Sequence, residues 1–233
     1  MLGALLFGLA ASSALVIGGV AGAFWRPPRS LVAAALAFAS GALITAVSFD
    51  LFEESFKRGG AWHSGIGLLA GAATFVVADE LLDRHVKGAG GGVSGFAILA
   101  GVTLDGIPEN MALGVSLLQG IGSLTLLVAI FASNLPESLG GAVGMRDQGR
   151  SKGFVVLVWT ATAVLLTAAV VIGNSALSGV GERALSILLA FAGGAVLASI
   201  ADTLMPDAYG EGGKLVAFAT AAGFFLSFMI EKA

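Results

Sequence analysis

Two hexapeptides carry most of the residues in this chain that could do chemistry. Asp105-Gly106-Ile107-Pro108-Glu109-Asn110 lies near the middle of one apolar stretch, and Ser133-Asn134-Leu135-Pro136-Glu137-Ser138 lies near the middle of the next. Residues four apart share a face of an α-helix, so Asp105 and Glu109 stack on one helix, and Ser133 and Glu137 stack on the other with Asn134 beside them. If the two faces meet, carboxylate, hydroxyl and amide oxygens converge. Three carboxylates so close repel and take up protons unless a cation neutralises them, and a divalent metal ion is the natural partner. Each proline lacks an N–H and clashes with the carbonyl four residues back, which frees the carbonyls of Leu104 and Ala132. Broken helices with freed carbonyls line ion sites in several transporter folds. An ionisable group at the centre of a membrane span costs ~2.5–3.5 kcal/mol on insertion scales and marks function by default.

The elements that must position these groups are membrane helices. Of 233 residues, 57% are hydrophobic and 12% are charged, and mean hydropathy is +0.94; soluble domains carry about 25% charged residues. A helical span needs ~20 apolar residues. Eight stretches qualify: 2–25, 31–52, 65–82, 93–118, 121–145, 153–173, 184–205 and 214–231. Short connections join them, so residues 1–233 read as one transmembrane domain. No basic residue precedes Arg26, so the first stretch reads as a retained helix and not as a cleaved signal. The loops after spans one, three, five and seven hold eight Lys and Arg residues, against four on the other side; the positive-inside rule then puts both termini outside. The net charge of −3 and the lack of a basic run argue against nucleic acid. No cysteine is present, which removes disulfides and thiolate sites, and the lack of a Walker motif argues against direct use of ATP.

The segment Phe38-Ala39-Ser40-Gly41-Ala42-Leu43 in span two resembles Phe191-Ala192-Gly193-Gly194-Ala195-Val196 in span seven. Both run into acidic ends. Spans one to three and six to eight therefore read as inverted repeats flanking spans four and five, a 3+2+3 arrangement characteristic of transporters with a midplane site.

With these features the chain resembles the ZIP (Zrt/Irt-like) divalent metal transporters. That family has eight spans, a His-Asn-x-Pro-Glu-Gly-like motif in span four and a related motif ending in Glu in span five. The resemblance implies an all-α integral membrane protein of the cell membrane that carries divalent cations, with zinc as the family's metal and no organic cofactor. Its metal ligands would be Asp105, Glu109, Ser133, Asn134 and Glu137. The departures are specific. Asp105 stands where the family has histidine, Gly106 where it has asparagine, and Ser133 at the first polar position of the second motif. Span six, which in many prokaryotic members supplies a glutamate to a second metal position, has no charged residue here. An all-oxygen site leans towards Mn²⁺, with Fe²⁺ or Co²⁺ also in range, although zinc accepts carboxylate. Asp50 and Glu54 at one mouth, and Asp79, Asp83, Asp202 and Asp207 at the other, would concentrate cations, with His85 as a transient contact. The expected partners are the metal cation and the lipid bilayer, and a homodimer is compatible. Two other classes share these residues: an intramembrane metal-dependent hydrolase and a metal-binding sensor. The first is disfavoured because catalytic zinc sites usually carry histidine.

Overall fold

A computed structural model describes residues 1–88, 95–119, 124–176 and 179–233; within these, the side chains of 83, 85–88, 95–100, 119 and 176 lie outside the description. Among the described residues every regular element is helical. The helices are α1 (Leu2–Phe24), α2 (Arg29–Ala46), α3 (Glu54–Gly88), α4 (Gly95–Ser116), α5 (Leu124–Asp147), α6 (Lys152–Ala176), α7 (Glu182–Ser199), α8 (Met205–Gly212) and α9 (Val216–Glu231). A π-helical segment, Val47–Glu53, joins α2 to α3, and another, Ile200–Leu204, joins α7 to α8.

Five stretches among the described residues are long and apolar enough to cross a membrane: Leu2–Phe24, Arg29–Leu82, Leu124–Asp147, Lys152–Ser175 and Glu182–Glu231. Their outward surface carries Leu5, Leu9, Ile17, Leu157, Val164, Phe218 and Phe225, all exposed; water-soluble monomers rarely expose apolar surface on this scale. The described residues are thus all-α, with helices long and apolar enough to cross a bilayer.

Arg29–Leu82 and Glu182–Glu231 have 54 and 50 residues. Extended as straight helices they would run about 75–80 Å at 1.5 Å per residue, far beyond a hydrocarbon core of about 30 Å. The first one folds back within itself. The Ser55 hydroxyl donates to Ser64 Oγ at 2.9 Å, yet residues nine apart in a straight helix stand about 13.5 Å apart along the axis. Gly60 makes the turn with φ 68° and ψ −177°, a backbone open to glycine and strained for any side chain. In the second stretch Gly213 leaves the helical region, with φ 57° and ψ −141°. The sequence predicts a loop between 52 and 65; a single glycine within a helical run does the work instead.

Proline does not end either motif helix. α4 continues through Pro108 and α5 through Pro136. The irregular backbone falls in the two π segments, which contain Asp50 and Asp202. Segments of this type recur at functional sites.

The helices pack in two groups. One holds α1, α4, α5 and α6; the other holds α2, α3, α7, α8 and α9; α5 lies on α2 and α4 on α7 between them. Small residues set the close approaches, as expected where lipid removes the hydrophobic drive between helices. A Cβ on Gly18 or Gly22 of α1 would strike the Leu135 or Leu139 carbonyl oxygen of α5, each at 2.5 Å. In the second group a Cβ on Gly41 would strike the Thr220 carbonyl and one on Gly223 the Phe38 carbonyl, joining α2 to α9. Gly194 against Leu68, and Gly71 against Phe191, join α7 to α3 in the same way.

Candidate metal site

α4 and α5 bring both hexapeptides into the protein interior. Asp105 and Glu109 are buried on α4, and Ser133 and Asn134 on α5. The Ser133 hydroxyl donates to its own helix at Ile130 O, 3.1 Å away, and its oxygen also lies within reach of the Glu109 carboxylate. Glu137 sits within electrostatic reach of both Glu109 and Asp105. Asp105 in turn lies beside Ser199 of α7 and feels the charges of Asp79, Asp202 and Asp207. The Ser199 hydroxyl is fully enclosed and makes no strict hydrogen bond with protein.

A cavity of about 540 Å³ leads to this group. Its lining includes the exposed Arg29, Asp147 and Glu211, the buried Asp105 and Pro136, and the half-buried Glu137. Asp105 lies ten residues from the start of α4 and Glu137 ten residues from the end of α5. At 1.5 Å per residue both are about 15 Å in, half the thickness of a hydrocarbon core. Glu109 does not line the cavity; it sits one turn beyond Asp105, only 3% exposed.

The local sequence explains why the wall is open here. Gly140, Gly141 and Gly144 present no side chain towards the cavity, and Pro136 leaves the Ala132 carbonyl without its helical donor. The Ser138 hydroxyl caps the Asn134 carbonyl at 2.7 Å, pinning this turn of α5. On α4 the Asn110 amide donates to Gly106 O at 2.9 Å. Gly106 packs on Leu166 of α6: a Cβ there would lie 2.5 Å from Leu166 Cδ1.

The donor set is carboxylate, hydroxyl and amide. Among the described residues no three His, Asp or Glu side chains stand together as a closed metal shell. Further oxygens come from neutral groups. The side-chain nitrogen of Asn134 is buried without a protein partner; turning the amide over presents its oxygen there instead, the orientation a cation favours. The arrangement lines the cavity with acidic side chains that draw cations towards it.

Of the expected pathway residues, Asp79, Asp202 and Asp207 join the electrostatic neighbourhood of Asp105. Asp202 and Asp207 are exposed and Asp79 half-buried. Asp50 and Glu54 lie beyond the end of α2, in the π segment and at the start of α3. Asp50 is half-buried in the π segment, and Glu54 pairs with Arg58 at 2.7 Å. The side chains of Asp83 and His85 lie outside the described residues. Sequence reasoning missed Ser199, Thr203 and Glu211. Their approach to the site depends on how α7 and α8 pack, which no local pattern encodes.

No protein-family model matches the chain, and no curated protein matches it significantly.

Proposed function

We propose that the protein moves divalent metal cations across a cell membrane through the carboxylate site on α4 and α5. The observation that carries this reading is a cavity lined by both Asp105 and Glu137, each about ten residues from the helix end on that side. An acidic funnel with low-dielectric walls concentrates cations, and buried carboxylates give such an ion a resting point halfway across. The cation is the substrate. It gains Asp105, Glu137 and then Glu109 as it leaves the cavity, with Ser133 and Asn134 completing its oxygen shell. Ligands that stand apart on the cavity side suit release, and closure around the ion suits transport. The ZIP resemblance is retained as part of the proposal, with carboxylate chemistry and not family membership as its support. Hard oxygen donors favour Mn²⁺ or Fe²⁺ alongside zinc.

The proposal includes eight spans in an inverted 3+2+3 repeat with both termini outside. Several features support it. A shift of 153 positions carries Phe38–Leu43 onto Phe191–Val196, the start of one π segment onto the other (Val47 onto Ile200), and Gly60 onto Gly213. The same shift carries Arg29 onto Glu182 and Arg58 onto Glu211. Arg29 pairs with Glu211 at 3.3 Å and Arg58 with Glu182 at 2.6 Å, so one contact recurs with its charges exchanged. The paired glycine contacts of α2 with α9 and of α7 with α3 repeat in the same way. For the termini, the Thr125 hydroxyl at the start of α5 donates to Glu231 near the end of the chain. The contacts of Gly18 and Gly22 run parallel to α5, which puts Met1 at that same end. Two helix groups meeting at the site make alternating access by one group against the other a consistent mechanism.

Uptake of ⁵⁴Mn²⁺ and ⁶⁵Zn²⁺ by proteoliposomes of the purified protein tests the function. Saturable, protein-dependent uptake is expected; binding without uptake would favour a sensor.

A further inference from the structure

A second polar feature lies behind α4, on the side away from the cavity. Ser12 Oγ of α1, Asn110 Oδ1 of α4 and Thr167 Oγ1 of α6 are all buried without a protein hydrogen-bond partner; their residues are 1%, 0% and 7% exposed. The packing brings them to one seam. Gly106 and Gly114 of α4 face Leu166 and Val170 of α6, and Asn110 lies midway between those glycines on the same helical face. Gly8 of α1 faces Thr167 and Val170, and Ser12 is one turn along from Gly8. Three helices thus meet with three unsatisfied oxygens within about a turn of one another. The mechanism proposed above uses none of them.

Leaving a buried oxygen unpaired is costly, and native interiors answer such groups with ordered water that makes about three hydrogen bonds. All three groups accept hydrogen bonds and the two hydroxyls also donate, a set that water can satisfy. The seam has no carboxylate of its own, so it lacks the charge to hold a metal ion there. We propose that the α1–α4–α6 seam binds a small cluster of ordered water through Ser12, Asn110 and Thr167. This site is separate from the cation cavity, and it makes the helix group that carries Asp105 and Glu109 internally wet at mid-depth. The inference rests on the packing alone and stands whether or not the protein transports metal.

Thr167→Val tests it, because valine keeps the shape and removes the oxygen. If water bridges the seam, the variant loses hydrogen bonds and melts about 3–8 °C lower in detergent without metal; Ser12→Ala shifts in the same direction. If the seam is dry, removing an unpaired hydroxyl leaves the melting temperature unchanged or raises it, which overturns the proposal. X-ray radiolysis of wild-type protein in ¹⁸O water provides a readout that needs no variant. Radicals from bound water should oxidise the enclosed Leu166 and Val170, and the absence of labelling at these two residues would also overturn the proposal. Melting that depends on Na⁺ and not on K⁺ would replace water by a sodium ion and contradict it.

Discussion

Replacing Gly106 by alanine puts a methyl group 2.5 Å from Leu166 Cδ1 and 3.2 Å from Cδ2. Carbon atoms in contact prefer 3.5–4.0 Å, so either Leu166 or α4 must yield by about 1 Å. Leu166 is fully enclosed and has little room to turn. Overpacking of this kind costs ~1–3 kcal/mol, or about 2–12 °C of melting temperature at ~2–4 °C per kcal/mol for a chain of this size. Leu166→Ala alone leaves a cavity and should cost ~2–5 kcal/mol. In the double variant the new methyl enters the space left by the leucine, so the combined loss should fall short of the sum by at least ~1 kcal/mol. Gly106 follows Asp105 directly, so the same shift of α4 moves a residue of the proposed metal site. Metal affinity should therefore fall in Gly106→Ala and recover in the double variant. Thermal unfolding of all four proteins, with metal titration of each, reads both effects. Additive losses within ~0.5 kcal/mol, with unchanged affinity, would refute the coupling between α6 packing and the site.

Asp105→His should raise the Zn²⁺ to Mn²⁺ uptake ratio, because zinc gains an imidazole nitrogen and manganese loses a hard oxygen; an unchanged ratio would remove Asp105 from the ligand set. Gly71→Val and Gly223→Val should each destabilise the protein strongly, because their side chains would strike the backbone carbonyls of Phe191 and Phe38. Gly65→Val, with open space around it, should fold normally and serve as the control in size-exclusion and melting assays. The chain has no native cysteine, so Val143→Cys in the cavity wall and Arg150→Cys can be tagged with an impermeant maleimide. Both should react from the inner side of right-side-out vesicles after permeabilisation, and labelling of Arg150→Cys from the outside alone would reverse the topology.

Much of the helical framework was legible because hydropathy and helix length are local properties. The ends of α1 and α6 fall within three residues of the sequence expectation, and the burial of Asp105, Glu109, Ser133 and Asn134 follows from their places in apolar helices. The turn at Gly60 was not legible, since glycines are common throughout these helices and only the fold shows which one takes a positive φ. The prolines misdirected attention in a related way. Pro108 and Pro136 look like breaks, yet both helices run through them; the backbone irregularity lies beside Asp50, where no breaker residue announces it, and beside Asp202, whose carbonyl lies four residues before Pro206. Ser199 and Glu211 join the site only because α7 and α8 cross α4 and α2, a tertiary fact absent from either hexapeptide.

The central claim is that buried carboxylates on α4 and α5 hold the transported cation. Glu109→Gln and Glu137→Gln keep the size of the side chain and remove its charge. Equilibrium metal binding to the two purified variants, with uptake measured in parallel, tests the claim most directly. Both variants should remain folded and monodisperse, bind metal at least about 100-fold more weakly because a buried cation has lost a charge partner, and show uptake at the level of empty liposomes. Wild-type binding and uptake by either variant would contradict the account.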